Sequence, residues 1–243
     1  RLTAFGEDWA LRVRDILRAV DELGDMARAA QSGLSGRLRI GVIPTIAPYM
    51  LPGLIHQLSQ THADIDVHIR ETVTPKLIEE LAGGQIDTAI VALPVAEPGI
   101  EEIPLFSENL MLVRPNAQTG LPVPTPFHLG QMRLLMLEEG HCFRDQALAF
   151  CDLQSARPRE GLDGSSLSTL VQMVGAGIGV TLIPEMAVPV ETRSAPVCID
   201  RFADPQPTRT IGMIWRATNP MSRQLHQIAK LVKEVAERLP KAP

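Results

Sequence analysis

Apolar residues recur at Phe5, Trp9, Val13, Ile16, Val20, Leu23, Ala27 and Ala30, at steps of three and four. Such a narrow stripe, sustained for nearly four heptads, predicts one helix over residues 4–30. At 1.5 Å per residue it would be roughly 40 Å long. A terminal helix striped this narrowly, with the Gly- and Ser-containing stretch 31–36 behind it, reads as a dimerisation stalk rather than a helix packed on its own domain.

After Gly36 the pattern changes to alternating strand and helix periods. Residues 38–43 predict a strand stopped at Pro44. Residues 50–60 predict a helix with Leu51, Leu54, Ile55 and Leu58 on one face. A strand over 65–71 and a helix over 75–82, closed by Gly83 and Gly84, lead to 86–93, an apolar run of the buried parallel kind. Residues 103–106 and 109–114 read as two strands or one bent element, and the proline-rich 115–126 as a loop. The cycle then restarts: strand 134–137, helix 143–151, strand 157–162, helix 165–174 and strand 179–183. Strand 208–216 and helix 221–239 end the chain, with the last pair free to return to the first lobe. The expectation is an α/β fold of two lobes, with a ligand crevice outside the carboxyl ends of the strands.

Composition narrows the function. The 243 residues are 45% apolar and 21% charged, with mean hydropathy +0.07, an ordinary core-forming balance. A net charge of −5 argues against nucleic-acid binding by bulk electrostatics. The apolar runs 88–93 and 177–183 are far short of the roughly 20 residues a membrane span needs. The chain starts at Arg1 without a leader pattern, which reads as a fragment or processed chain without a secretory signal. Three cysteines, an odd number, argue against a disulfide scaffold and for a cytoplasmic setting. No G-x-S-x-G, C-x-x-C, H-E-x-x-H or P-loop is present, and the scattered histidines have no metal-ligand spacing. Gly175, Gly177 and Gly179 lie after a helix and before a strand, the reverse of a phosphate-cradling fingerprint. The pairs Asp64 with Asp66 and Glu138 with Glu139 read as solvated strand ends. Neither a metal nor a cofactor is expected.

The segment 139–151 carries the chemistry. Cys142 opens a predicted helix, with His141 before it and Arg144 two residues on. A helix N-terminus and neighbouring cations favour the thiolate, the reactive form. Cys151 lies at the far end, on the side of Phe143 and Ala147, and reads as buried. Nine residues of helix rise about 13.5 Å. A disulfide needs Cα atoms roughly 4.4–6.8 Å apart, so the two thiols can bond only if the helix unwinds. Separately, Thr45, Thr74 and the His141–Cys142 pair each follow a predicted strand, so all can converge on one crevice.

The run His141-Cys142-Phe143-Arg144-Asp145-Gln146-Ala147, with Phe150-Cys151, closely resembles the redox segment of the OxyR family. These are hydrogen-peroxide-sensing transcription regulators of the LysR type. The likeness extends to the stalk helix, to Gly41-Val42-Ile43-Pro44-Thr45 with Pro48-Tyr49 and Leu51-Pro52, to 175–184, and to Arg209-Thr210-Ile211-Gly212. It implies two Rossmann-like, periplasmic-binding-protein-like subdomains with crossover strands behind a dimerisation helix. The boundaries are 1–36 for the helix, 37–107 with 208–243 for subdomain I, and 108–207 for subdomain II. It also implies that Cys142 is the peroxidatic cysteine and Cys151 its resolving partner, with Thr45, Thr74, His141 and Arg209 around the reactive thiol. Threonine hydroxyls donate to and accept from a peroxide, and Arg209 would stabilise the thiolate. Phe143 is bulkier than the aliphatic residue usual there, Gly161 is smaller than expected, and Cys198 reads as a bystander. The further implications are a homodimer or homotetramer and promoter DNA held by a winged helix-turn-helix upstream of Arg1. Contact with RNA polymerase, reduction by glutaredoxin or thioredoxin, no membrane partner and no enzymatic turnover complete the set. Three rivals remain. They are a LysR-type domain holding an organic effector at the Ser165–Ser166 helix start, a thiol peroxidase, and a solute-binding transport protein.

Overall fold

The structure is a computed structural model and describes residues 2–29, 35–151 and 163–240. Helix α1 (Ala4–Ala29) takes up the first stripe, and Phe5, Trp9, Ile16, Val20 and Leu23 on it are all exposed. Ala30 and the stretch 31–34 lie outside the described residues.

Among the described residues, the body is built on a continuous set of nine strands. β1 (Gly36–Val42) pairs in parallel with β2 (Ile65–Glu71) and with β3 (Thr88–Leu93). α2 (Ala47–Thr61) connects β1 to β2, and α3 (Thr74–Ala82) connects β2 to β3. Gly41 gives α3 its seat, because a Cβ there would stand 2.6 Å from Leu77 Cδ2. β4 (Ile100–Pro115) then runs 16 residues and serves both lobes. Its first part pairs antiparallel with β9 (Thr208–Arg216), and β9 pairs with β3. Its last part, from Leu110 on, pairs with β7 (Val180–Pro184) and β8 (Val197–Asp200). The two candidate strands at 103–106 and 109–114 are therefore one element, with a register shift between Pro104 and Phe106.

Beyond the crossover, β7 pairs in parallel with β5 (Leu134–Leu137), and β5 with the short β6 (Asp163–Gly164). The single-turn α4 (Pro126–Leu129), then α5 (Cys142–Phe150), α6 (Leu167–Gly175) and the single-turn α7 (Val188–Glu191) dress this lobe. α8 (Ser222–Glu237) returns to pack on α2. The final strand and helix thus rejoin the first lobe. The core follows the apolar faces read from sequence: Ile211, Met213 and Trp215 of β9, and Leu134 to Leu137 of β5, are all buried.

Several elements differ from expectation. α2 begins at Ala47, three residues before the start expected at 50. β8 and α4 were not expected; every residue of β8 is half-buried, so neither alternation nor an apolar run marks it. The predicted strand 157–162, with Gly161 in it, lies outside the described residues.

Candidate functional site

Three strand exits meet one crossover. β1 leaves through Ile43 and Pro44 to Thr45, β2 leaves to the Val73–Thr74 start of α3, and β5 leaves through a turn to the His141–Cys142 start of α5. On the crossover strands, Glu108 of β4 stands opposite Arg209 of β9 in the antiparallel register. Both side chains are buried. Arg209 Nε donates to Glu108 Oε1 at 2.8 Å, Nη1 donates to Thr45 Oγ1 at 2.8 Å, and Nη2 donates to the Thr45 carbonyl at 3.0 Å. Glu108 Oε2 accepts the backbone N–H of Met186, in the second lobe, at 3.1 Å. Arg209 is therefore no surface strand end; it is 3% exposed at the junction of the lobes.

The α5 entry closes on this junction. The guanidinium carbon of Arg209 lies 5.3 Å from the ring centroid of Phe143, the neighbour of Cys142. Gly140 has φ +93°, which glycine adopts freely. A Cβ there would meet Val73 Cγ2 at 3.8 Å, so the turn before α5 lies against the entry to α3. The bulkier Phe143 thus forms a floor under the arginine, 3% exposed itself. Thr45 and Arg209 touch directly, Thr74 and His141 arrive through their neighbours Val73 and Gly140, and Cys142 arrives beside Phe143.

Two polar atoms were not foreseen as a pair: Thr74 Oγ1 and Gln146 Oε1 are both buried without a hydrogen-bond partner. Gln146 sits four residues after Cys142, on the same helix face. Sequence spacing alone held that signal, in a polar residue at i+4 from the thiol.

The charge around Cys142 differs from the sequence reading. Arg144 turns away, with Nη1 donating to the Leu137 carbonyl and to Asp163 Oδ1, both at 2.8 Å. Burial holds His141 below the usual imidazole range, against the pull of Glu138, so it is neutral at pH 7. Two sources of positive potential remain on this side. One is the α5 N-terminus, where His141 as N-cap makes no side-chain cap. The other is Arg209, shared with Glu108.

At the opposite end of α5, Cys151 is buried, and burial pushes its thiol up to about 11. All three cysteines are free. Cys198 lies on β8, its Sγ–H pointing to the Pro115 carbonyl at 3.6 Å. Ser166, offered as an effector anchor, caps α6 by accepting the N–H of Thr169 at 3.2 Å. Among the described residues, no cluster of three or more His, Cys, Asp or Glu side chains could hold a metal ion, and no helix is long and apolar enough to cross a membrane.

The two lobes are thus joined through β4 and β9, where the Glu108–Arg209 pair sits. The family model described as the LysR substrate binding domain matches residues 31–237. A probable hydrogen peroxide-inducible genes activator of Streptomyces viridosporus is 39% identical over 246 residues, covering 98% of this chain and 78% of that protein. An OxyR cysteine-to-serine variant of Corynebacterium glutamicum, solved with hydrogen peroxide bound, superposes with TM-score 0.83 at 31% identity, over 98% of this chain and 76% of that one. The reduced OxyR regulatory domain of Pseudomonas aeruginosa superposes with TM-score 0.76 at 33% identity, over 86% of this chain and 100% of that one. The protein is a LysR-type transcription regulator in its regulatory part, not an enzyme. Within that class the chain belongs to the OxyR family, the redox-sensing regulators.

Proposed function

We propose that hydrogen peroxide oxidises Cys142 and that a Cys142–Cys151 disulfide then refolds the segment between them. The observation that supports this best is the packing around the α5 start. At the α5 start, Phe143, the neighbour of the half-buried Cys142, packs on Arg209, which itself binds Thr45, and Thr74 and Gln146 each carry a buried polar atom without a partner. Thr74 Oγ1 and Gln146 Oε1 are unspent where a peroxide with two hydroxyl groups both donates and accepts.

The Cys142 thiolate attacks one peroxide oxygen and the O–O bond breaks. Sulfur gains that oxygen as a sulfenic acid, and the other oxygen leaves as hydroxide, which takes a proton from solvent. The Cys151 thiol then condenses with the sulfenic acid, forming S–S and releasing water. The second step requires α5 to open, because about 13.5 Å of helical rise separates the two positions. Closing a ten-residue loop stabilises a relaxed chain by about 3 kcal/mol. Loss of helix and of apolar burial offsets much of that. The result is a disulfide that thioredoxin- or glutaredoxin-type reductants reverse.

In this reading, residues 1–36 are a dimerising linker, 37–107 with 208–243 one subdomain, and 108–207 the other. The refolded segment alters packing in a homodimer or homotetramer, and through it contact with promoter DNA and RNA polymerase. The exposed apolar side of α1 supports the linker role. Val13→Glu with Val20→Glu should halve the mass seen by light scattering; an unchanged mass removes α1 as an interface.

Peptide mapping after stoichiometric peroxide tests the chemistry. The expected product links Cys142 to Cys151, with the 143–150 amides losing protection from hydrogen exchange. A Cys142–Cys198 link, or a Cys142–Cys151 link with those amides still protected, rules the mechanism out.

A further inference from the structure

Glu108 has no role in the expectations from sequence, yet it is the counter-charge of a buried cation, Arg209, that packs on the reactive segment. It faces Arg209 across β4 and β9 at the point where both strands pass between lobes. Its Oε1 takes Arg209 Nε at 2.8 Å and its Oε2 takes the Met186 N–H at 3.1 Å, so the carboxylate is fixed from both lobes. Arg209 in turn has Thr45 on its outer nitrogens and the Phe143 ring against its face. The guanidinium therefore cannot turn toward Cys142 without breaking bonds to Glu108 or Thr45, and the Glu108 carboxylate offsets its charge where it sits.

We infer that Glu108 is a positioning residue that restrains the reactivity of Cys142 by holding and partly neutralising Arg209. The inference rests on the proposed peroxide chemistry at Cys142, but its electrostatic part is measurable without peroxide.

Other charges face the same place. On α5 and the turn before it stand His141, Glu138 and Arg144, the last paired with Asp163. From the packed elements come Tyr49, whose hydroxyl donates to Glu191 at 2.7 Å, and Glu185, which accepts from Asn109 and Arg201. Burial lowers His141 and raises Tyr49 out of their usual ranges, so both stay neutral between pH 7 and 9. A difference in Cys142 reactivity between wild type and the pair variants over that interval therefore reports the Arg209–Glu108 pair rather than a titration of these neighbours.

The experiment is the pH profile of Cys142 alkylation by iodoacetamide in the 243-residue chain, read by peptide mass spectrometry for wild type, Glu108→Gln, Arg209→Met and the double variant. Glu108→Gln should move the midpoint down by about one pH unit, as expected for an opposite charge freed nearby. Below the midpoint that raises the thiolate fraction about tenfold and lowers its intrinsic nucleophilicity about threefold, so peroxide oxidation near pH 7 rises about threefold. In the Arg209→Met background, Glu108→Gln should add no shift, because its effect passes through the guanidinium. The double variant removes both charges together and so keeps the fold accessible to measurement.

An unmoved or raised midpoint in Glu108→Gln overturns the inference, as does an equal shift with Arg209 absent. A wild-type chain that alkylates at Cys142 with the expected Glu108 dependence but ignores peroxide would instead overturn the proposed function and leave the electrostatic pairing standing.

Discussion

At the N-terminal end of α5, Cys142 is half-buried on an uncapped helix start, with Arg209 against the next side chain, and Thr74 and Gln146 each keep a buried polar atom without a partner. Nine residues later, Cys151 is sealed in the core, and the ring of Phe150 packs edge-on against Phe202 at 4.8 Å. Helix starts draw negative charge and apolar burial repels it. One short helix thus gives two chemically identical side chains opposite tasks. The first thiol is presented to a small polar oxidant, and the second is withheld until the helix opens.

The largest expected effect tests that division directly. Cys142→Ser should abolish oxidation of the chain by stoichiometric peroxide, whereas Cys151→Ser should still form a sulfenic acid, trapped by dimedone, but no intramolecular disulfide. Dimedone labelling at position 151 in the Cys142→Ser chain would erase the distinction between the two ends.

Next in size is the buried pair that serves only the first end. Arg209→Met strands Glu108 as an unpaired buried carboxylate, a loss of about 3–5 kcal/mol. For a chain of this length that lowers the melting temperature by roughly 10 °C. Adding Glu108→Gln should recover most of it. Thermal melts of the single and double variants give the answer, and a single variant as stable as wild type would mean the pair lies in water rather than in the core.

Much of this was legible beforehand, and the reasons are specific. The β1, β2, β5 and β9 patterns were readable because alternation or apolar runs there reflect burial on one face or both. β4 read as two pieces because the residues around Pro104 and Ser107 break the pattern where the strand passes between lobes. β8 left no trace, being half-buried throughout. In the site, the two cysteines stood out through their helix positions. Strand exits could bring Thr45 and Thr74 toward the cysteine, but their roles, and that of Arg209, came through resemblance, since a threonine after a strand or an arginine at a strand start is ordinary. Glu108 stayed hidden because a carboxylate in a strand reads as a solvated position until its cross-strand partner is known. Arg144 misled for the converse reason: proximity in sequence to Cys142 suggested a stabilising cation, but Asp163 claims its charge.

The burial of Cys151 has its own pH signature. A thiol pushed from 9.0 to about 11 binds its proton more tightly in the folded chain than in the unfolded one. The folded state then holds more protons between those values, so stability falls as pH rises through the window of about 9 to 11. Below it the contribution is constant. At 1.36 kcal/mol per unit the loss totals about 2–3 kcal/mol. Urea unfolding of wild type at pH 8 and pH 11 should show it, and Cys151→Ser should lack that component. An equal pH dependence in both chains would place the thiol in contact with solvent.

The smallest effect isolates the latch at the second end. Phe150→Ala removes the edge-on contact with Phe202, worth about 0.5–1.5 kcal/mol beyond the buried area. A change of 1.4 kcal/mol multiplies the open population of the α5 end tenfold, since local opening and global stability are separable. Peroxide meets Cys142 with its surroundings intact, so the sulfenic acid should form at the wild-type rate. Disulfide closure, which waits for Cys151 to be released, should accelerate by up to about tenfold. The two phases separate by stopped-flow oxidation followed by timed acid quench and mass spectrometry. If Phe150→Ala leaves the second phase unchanged, then Cys151 burial does not limit closure. If it slows the first phase, the two ends of the helix are coupled through its length, and the division of labour between them would have to be given up.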